Sequence, residues 1–409
     1  MRIRSGCTDS LKARFAVVLL RVAAAFAVAA CRDPAVAAEE SAQEWRVIHR
    51  EGLKLPDHID DSQGNRIAIT GLSGITWLGD DSYAAVMDNS DRLLLFTLRL
   101  SSVGKPLEAA NLRVVTLSSR HDYEDIAPCP AAVGRRLAPM ESAGMAASDP
   151  FAFVCEEDTP AIHVVSLASG RLLETLPLPA NLRSRRPNRG NESLCIDPQA
   201  THLWTANEEA LLDDGPPAAI DSGTVVRLTR IPVDPARPPA AGPFFQAAYA
   251  VDAPHRFTQV FPGQPLSGLV ALVAIGDGKL LALERSGGPG LPPFASRLYL
   301  IDTAGAVDVA AIDRGLASSP EVFLGKRLLW ADSLGLNLEG LCLGPWLADG
   351  RRVLVAIADN GGIGTPNQVV GLELIAPSEP RKLAVLWIVL AIVAVTLVVC
   401  RFAVPLTSP

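Results

Sequence analysis

Between Glu44 and Ala376 the chain alternates short apolar runs, rich in Val, Leu, Ile, Thr and Trp, with clusters of Gly, Pro, Asp and Asn. Tyr83–Met87, Leu93–Leu98, Ala161–Ser166, Thr224–Leu228, Ser296–Ile301 and Gln368–Leu374 are typical. No convincing amphipathic helical stretch longer than ten residues interrupts them. Runs this short, bounded by turn formers, predict strands joined by tight connections, hence a sandwich, a barrel or a propeller.

The runs recur in units. Each opens with a small or acidic anchor and an apolar run, turns, and ends a second run on an acid. The first unit is Ser73-Gly74-Ile75 with Asp88-Asn89; the second is Glu124-Asp125-Ile126 with Glu156-Glu157. The third is Glu192-Ser193-Leu194 with Glu208-Glu209, the fourth Ser267-Gly268-Leu269 with Glu284-Arg285, and the fifth Glu339-Gly340-Leu341 with Asp359-Asn360. The anchors lie 51, 68, 75 and 72 residues apart, and the surplus falls in inserts at 131–149, 211–222, 231–243 and 286–293. Small sheets that repeat this way bury both faces only against their neighbours, which predicts an all-β propeller. About 330 residues suit six blades, or five with generous loops. Trp45–His49 and Gln368–Leu374, from opposite ends of the domain, are placed to complete one blade together.

Outside the repeat the composition changes. The chain has 409 residues, 49% hydrophobic and 20% charged, with net charge −7. Mean hydropathy is +0.24, above that of an ordinary soluble protein. Residues 1–30 carry Arg2, Arg4, Lys12, Arg14 and Arg21 around apolar runs and read as an export signal. Cys31, after Val28-Ala29-Ala30, is a candidate for lipidation, and a small-residue cleavage site near Ala37 is the alternative. Leu383–Cys400 is uncharged and flanked by Arg381-Lys382 and Arg401. As a helix at ~1.5 Å per residue it is roughly 27 Å long, so 383–400 is expected to span a membrane. The basic flank favours the cytoplasm for Arg381-Lys382, whereas an exported domain requires the reverse; the signal segment decides the orientation. The expected layout is a signal at 1–30, a propeller at 45–376 held outside the cytoplasm at the cell envelope, and an anchor at 383–400. The two ends are basic, leaving 31–380 at −14, which excludes a nucleic-acid binder.

Four of the seven cysteines fall in the domain: Cys129, Cys155, Cys195 and Cys342. In an oxidising compartment the preferred pair is Cys129–Cys155, on strands read as neighbours. No spacing matches a zinc motif.

In an antiparallel hairpin the start of the first strand and the end of the second lie at the same end of the sheet. The repeat therefore gathers Asp88, Glu124, Glu156, Glu192, Glu208, Glu284, Glu339 and Asp359 at one mouth of the channel. So many carboxylates call for a counter-ion, and Ca²⁺ is the first candidate, because it takes six to eight oxygen ligands. Beside them, Arg186, Asn188 and Arg189 are candidates for an anionic substrate group, since guanidinium forks grip phosphate or carboxylate. No nucleophile elbow, zinc-protease helix or phosphate loop occurs, and the six histidines are scattered, His121 and His202 nearest the acids.

The phrases Leu72-Ser73-Gly74-Ile75 with Met87-Asp88-Asn89, Asn188-Arg189-Gly190-Asn191-Glu192-Ser193-Leu194, Ser267-Gly268-Leu269 with Leu283-Glu284-Arg285, and Asn337-Leu338-Glu339-Gly340-Leu341 with Ala358-Asp359-Asn360 resemble the bacterial phytase-like propeller domain, also called the "esterase-like activity of phytase" domain. The resemblance covers about residues 45–375, with Ser193 standing where the family more often has Gly or Ala. It implies a secreted or membrane-anchored propeller and phosphoester or ester hydrolysis, and it carries no catalytic residue set. Three functions are consistent with these features: a metal-dependent phosphoesterase or esterase on a small anionic ester, a non-catalytic binding propeller with structural calcium, and a calcium-dependent lactonase.

Overall fold

A computed structural model of the protein describes residues 44–377, apart from 62, 139–149, 235–242, 333 and 361–364. Within it, Val47–Leu374 forms one compact unit. Five four-stranded antiparallel sheets follow one another along the chain. Blade one is Leu72–Gly79, Ser82–Met87, Arg92–Leu100 and Pro106–Thr116; blade two is Tyr123–Cys129, Phe151–Glu156, Ala161–Ser166 and Leu172–Pro177. Blade three is Asn191–Ile196, His202–Asn207, Thr224–Pro232 and Phe245–Val251; blade four is Leu266–Gly276, Lys279–Gly287, Phe294–Asp302 and Lys326–Asp332. Blade five takes Asn337–Trp346, Arg352–Asp359 and Gln368–Ile375 from the end of the domain and its outermost strand, Arg46–Lys54, from the beginning. The ring thus closes as the sequence predicts, with Arg50 donating from Nε to the buried Glu373 at 2.8 Å across that seam.

The first strand of each blade touches the first strand of the next, all the way round, so the five line the central channel. Middle strands such as Phe151–Glu156 and Ala161–Ser166 are buried at every position. Each sheet is covered on both faces, which is why these strands read as continuous apolar runs and not as alternation. The cores lie between blades. Leu72, Ile75 and Met87 of blade one pack with Cys342, Val355 and Ile357 of blade five, and Phe153 and Ile162 of blade two with Leu194 and Leu203 of blade three. At ~1.5–3 kcal/mol for each buried Leu, Ile or Phe, these interfaces are the main source of stability.

The ring has five blades and not the six favoured by length. The extra residues of each unit go into connections: the helix α1 (Ala131–Leu137), a loop at 208–223, and 303–325 with its two short 3₁₀ turns. Five inner strands already close the channel, and among the described residues the remaining strands form only two short two-stranded ribbons, His58–Asp60 with Arg66–Ala68 and Thr258–Gln259 with Gly290–Leu291. The Cys129–Cys155 disulfide also fails. Cys129 lies opposite Phe151, and Cys155 is four residues further along that strand. At ~3.3 Å per residue the two are roughly 13 Å apart, about twice the Cα separation a disulfide tolerates. All four domain cysteines are separate buried thiols. Among the described residues no helix is long and apolar enough to cross a membrane. The export signal, Cys31 and the 383–400 run lie outside the described residues.

Candidate functional site

The acids are placed at the channel mouth by one recurring piece of backbone. Every inner strand is bulged at or just past its anchor, at Leu72/Ile75, Tyr123/Ile126, Asn191/Ser193, Leu269/Ala271 and Leu338/Gly340. A bulge bends the strand and re-aims a side chain. In blades one to three, the first residue past the second strand then donates its N–H to the residue two before the anchor. These bonds are Asp88 to Gly71 at 2.6 Å, Glu157 to Asp122 at 2.8 Å and Glu208 to Gly190 at 2.8 Å. Three carboxylates are thereby fixed at equivalent places facing the axis.

A cavity of about 150 Å³ opens at this mouth, lined by Ser73, Asp88, Glu124, Arg189, Glu192, Arg285, Glu339 and Asp359 among others. Glu208 reaches it through two guanidinium groups, accepting from Arg189 Nη1 at 2.8 Å and Arg285 Nη2 at 2.9 Å. Arg285 also lies 3.3 Å from Glu339. On the opposite side, Ser73 Oγ donates to Glu124 at 2.8 Å. Asp122, Glu124 and Glu157 each bring a carboxylate oxygen within 4.8 Å of the other two. Glu157 Oε1 accepts from Gly190 N at 2.6 Å, while its Oε2 is buried with no hydrogen-bond partner.

Burial and mutual repulsion raise the affinity of this group for protons. Burial first, then the charge of Asp359, lifts Asp88 to about 6. Burial, with Asp122 and Glu208 behind it, lifts Glu157 to about 7. Glu339 also reaches about 7, chiefly by burial, although Arg285 pulls the other way. Burial followed by neighbouring carboxylates pushes Glu124 and Glu192 well above the carboxylate range. Burial opposes the charge of Arg285, but Glu339, Glu208 and Glu192 hold it firmly protonated.

Of the eight acids expected at the mouth, six arrive: Asp88, Glu124, Glu192, Glu208, Glu339 and Asp359. Glu156 and Glu284 do not. Glu156, the last residue of its strand, turns outward to His163 and His121, and Glu157 takes its place. Glu284 faces blade three, accepting from Tyr249 Oη at 2.6 Å, Lys326 Nζ at 2.6 Å and Asp252 N at 3.0 Å; its neighbour Arg285 enters the channel. In both cases the expected residue is one position off, and adjacent residues of a strand point to opposite faces. Asp122 was missed because it precedes the anchor; its signal is the two-residue spacing to Glu124. Among the basic candidates Arg189 and Asn188 line the mouth. Arg186 turns away, donating from Nη2 to Gly215 O at 2.7 Å. His202 lies at the far end of its strand, 3.2 Å from Asp197.

A five-bladed propeller whose inner hairpins carry carboxylates into one end of the channel defines the class of protein. The chain belongs to the phytase-like family, described as "Esterase-like activity of phytase", whose model matches residues 67–362. No curated protein matches the chain. Among solved structures it is similar to the endo-arabinase from Bacteroides thetaiotaomicron, with 12% identity over 82% of this chain and 98% of that one and a TM-score of 0.39. It is also similar to Kuenenia stuttgartiensis hydrazine synthase, with 10% identity over 80% and 67% and a TM-score of 0.33. Chaetomium thermophilum Polycomb repressive complex 2 matches at 11% over 78% and 74%, with a TM-score of 0.35. Likenesses this remote say nothing about what this chain binds or does.

Proposed function

We propose that the propeller is a cation-dependent hydrolase of a small anionic phosphate ester or ester, working at the acidic mouth outside the cytoplasm and held at the envelope by the 383–400 segment. The observation that carries the reading is the mouth itself. Asp88, Asp122, Glu124, Glu157, Glu192, Glu208, Glu339 and Asp359 gather there, and the two guanidinium groups that line the cavity, Arg189 and Arg285, are both engaged by Glu208. Buried like charges without a counter-ion are costly, and a hard cation relieves them.

Asp122, Glu124 and Glu157 are the ligand set that fits best, because their oxygens converge and Glu157 Oε2 lacks a partner. Glu192 stands next to them, lifted first by burial and then by the charges of Glu124, Glu208 and Glu157. Ca²⁺ suits an all-oxygen set of this kind. When bound, such an ion polarises an ester or phosphoryl oxygen. Arg189, at the rim, offers the remaining N–H donors of its fork to the substrate anion. Glu339, whose proton leaves at about 7, is placed across the cavity to take or give a proton near neutral pH. The cavity admits one small group, so a larger substrate would insert its reacting end and leave the rest outside.

Calorimetric titration of Ca²⁺ into the purified protein, with hydrolysis of phosphate esters, carboxylic esters and lactones assayed in parallel, tests this reading. Binding should weaken at least about tenfold in Glu157→Gln. Glu339→Gln should instead lose turnover while keeping most of its affinity. Hydrolysis that survives full chelation would overturn the cation dependence. Tight binding with no turnover on any ester would leave a non-catalytic calcium propeller, and turnover on lactones alone would make it a lactonase.

A further inference from the structure

Blade two carries a second group of ligating side chains that the acidic mouth does not use. His121 lies in the connection from blade one, Glu156 ends the second strand of blade two, and His163 sits on the third. Glu156 is paired with Ala161 and His163 with Val154, so the two side chains are diagonal neighbours on one face of the sheet. Glu156 Oε1 is 3.0 Å from His121 Nδ1, and its Oε2 is 2.9 Å from His163 Nε2. One ligand atom from each of the three lies within 4.8 Å of the other two.

The surroundings hold these side chains in place. His163 Nδ1 is 3.0 Å from Thr175 Oγ1 on the next strand. With that hydroxyl accepting from Nδ1, Nε2 keeps its lone pair for a ligand, the arrangement by which outer hydrogen bonds orient metal-bound histidines. The two imidazoles stack at 5.0 Å, and Tyr123 packs edge-on against both. The side chains of Glu156 and His163 are each 4% exposed, whereas His121 is 32% exposed, so the group opens to solvent on the His121 side alone.

We infer that His121, Glu156 and His163 form a metal site for a borderline first-row transition ion, Zn²⁺ in the first instance, distinct from the acidic mouth. Two imidazole nitrogens and one carboxylate suit Zn²⁺ and its neighbours and are poor ligands for Ca²⁺ or Mg²⁺. Three protein ligands leave a fourth position toward His121 for water or an external ligand. The separation from the mouth has a simple cause. The N–H of Glu157 bonds to Asp122 O at 2.8 Å, so His121-Asp122 and Glu156-Glu157 run side by side. Adjacent residues face opposite ways: Asp122 and Glu157 turn to the mouth with Glu124, while His121 and Glu156 turn outward to His163. The two paired dipeptides thus send Asp122 and Glu157 to a hard oxygen set on one side and His121 and Glu156 to a nitrogen–oxygen set on the other.

The test uses Co²⁺ as a visible probe on the purified full chain, followed by displacement with Zn²⁺. One equivalent of Co²⁺ should give a visible absorption band that Zn²⁺ abolishes and excess Ca²⁺ leaves unchanged. His121→Ala and Glu156→Gln should lose the band and weaken Zn²⁺ binding at least about tenfold. Glu124→Gln and Glu192→Gln, at the mouth, should retain both. No band with the natural chain overturns the site. So does a band of unchanged intensity and affinity in His121→Ala, the variant whose position is open enough to fold whatever becomes of Glu156→Gln. Loss of the band in Glu124→Gln and Glu192→Gln but not in His121→Ala would assign the ion to the mouth and equally overturn it. Because the readout is Co²⁺ and Zn²⁺ binding, it stands or falls separately from calcium-dependent hydrolysis.

Discussion

Asp88, Glu157 and Glu339 hold protons at about 6, 7 and 7 when folded, against ordinary values of 3.8 for Asp and 4.5 for Glu. The folded protein therefore binds more protons than the unfolded chain between those limits. The stability these groups contribute is complete below about pH 4 and is lost as pH rises through about 7. In chelator the melting temperature should fall between pH 5 and pH 8, and saturating Ca²⁺ should remove that fall. A melting curve that stays level across the range in chelator would show that the fold does not raise the proton affinity of these acids. Glu192→Gln, which replaces a buried ionisable carboxyl by an amide of the same shape, should stabilise the ion-free protein by about 1–2 kcal/mol once the pH is high enough to ionise that carboxyl. Gly71 shows how tightly the mouth is built. Its φ is +62°, and a Cβ there would lie 1.7 Å from Asp88 Oδ1. Gly71→Ala should cost about 2–4 kcal/mol in thermal or denaturant unfolding and displace Asp88.

Between elements, the inner strands are joined by side chains as well as by packing. Asp125 is buried in blade two, and its Oδ2 accepts from Leu194 N of blade three at 2.7 Å, its Oδ1 from Ile126 N at 2.8 Å. Asp125→Ala leaves the Leu194 N–H buried without that acceptor and should destabilise the protein by about 1–3 kcal/mol. It should leave the metal affinities of the mouth within a few-fold, so melting and calorimetry together separate a seam residue from a ligand. The repeat, the strand positions and the turn-rich inserts were legible in the sequence, because apolar runs and Gly, Pro, Asp and Asn clusters mark strands and turns locally. The facing of individual acids was not. Glu156 versus Glu157, and Glu284 versus Arg285, turn on bulges and strand ends. A shift of one residue there exchanges channel for flank, and the composition of the run does not change. The His121–Glu156–His163 group was hidden for a related reason: its members come from a connection and two strands of one blade, with no spacing that marks them.

At the scale of the whole molecule, ring closure depends on the strand Arg46–Lys54, which comes from the start of the domain and pairs with Gln368–Ile375. Deleting residues 46–54 would expose a long apolar edge and release the last blade. The deletion variant should lose its cooperative melting transition and associate in size-exclusion chromatography, whereas Arg50→Ala, which removes one contact of that seam, should shift the midpoint only. The sequence by itself determined that the chain is an all-β propeller of repeated acidic hairpins, closed by its two ends, because strand period, turn residues and repeat spacing are local properties. Only the tertiary structure decided that five inner strands suffice to close the ring, that the cysteines stay apart, and which carboxylates meet. These depend on how far each strand runs before it bulges and on what packs against it from the neighbouring blade, quantities set by contacts between residues distant in the chain.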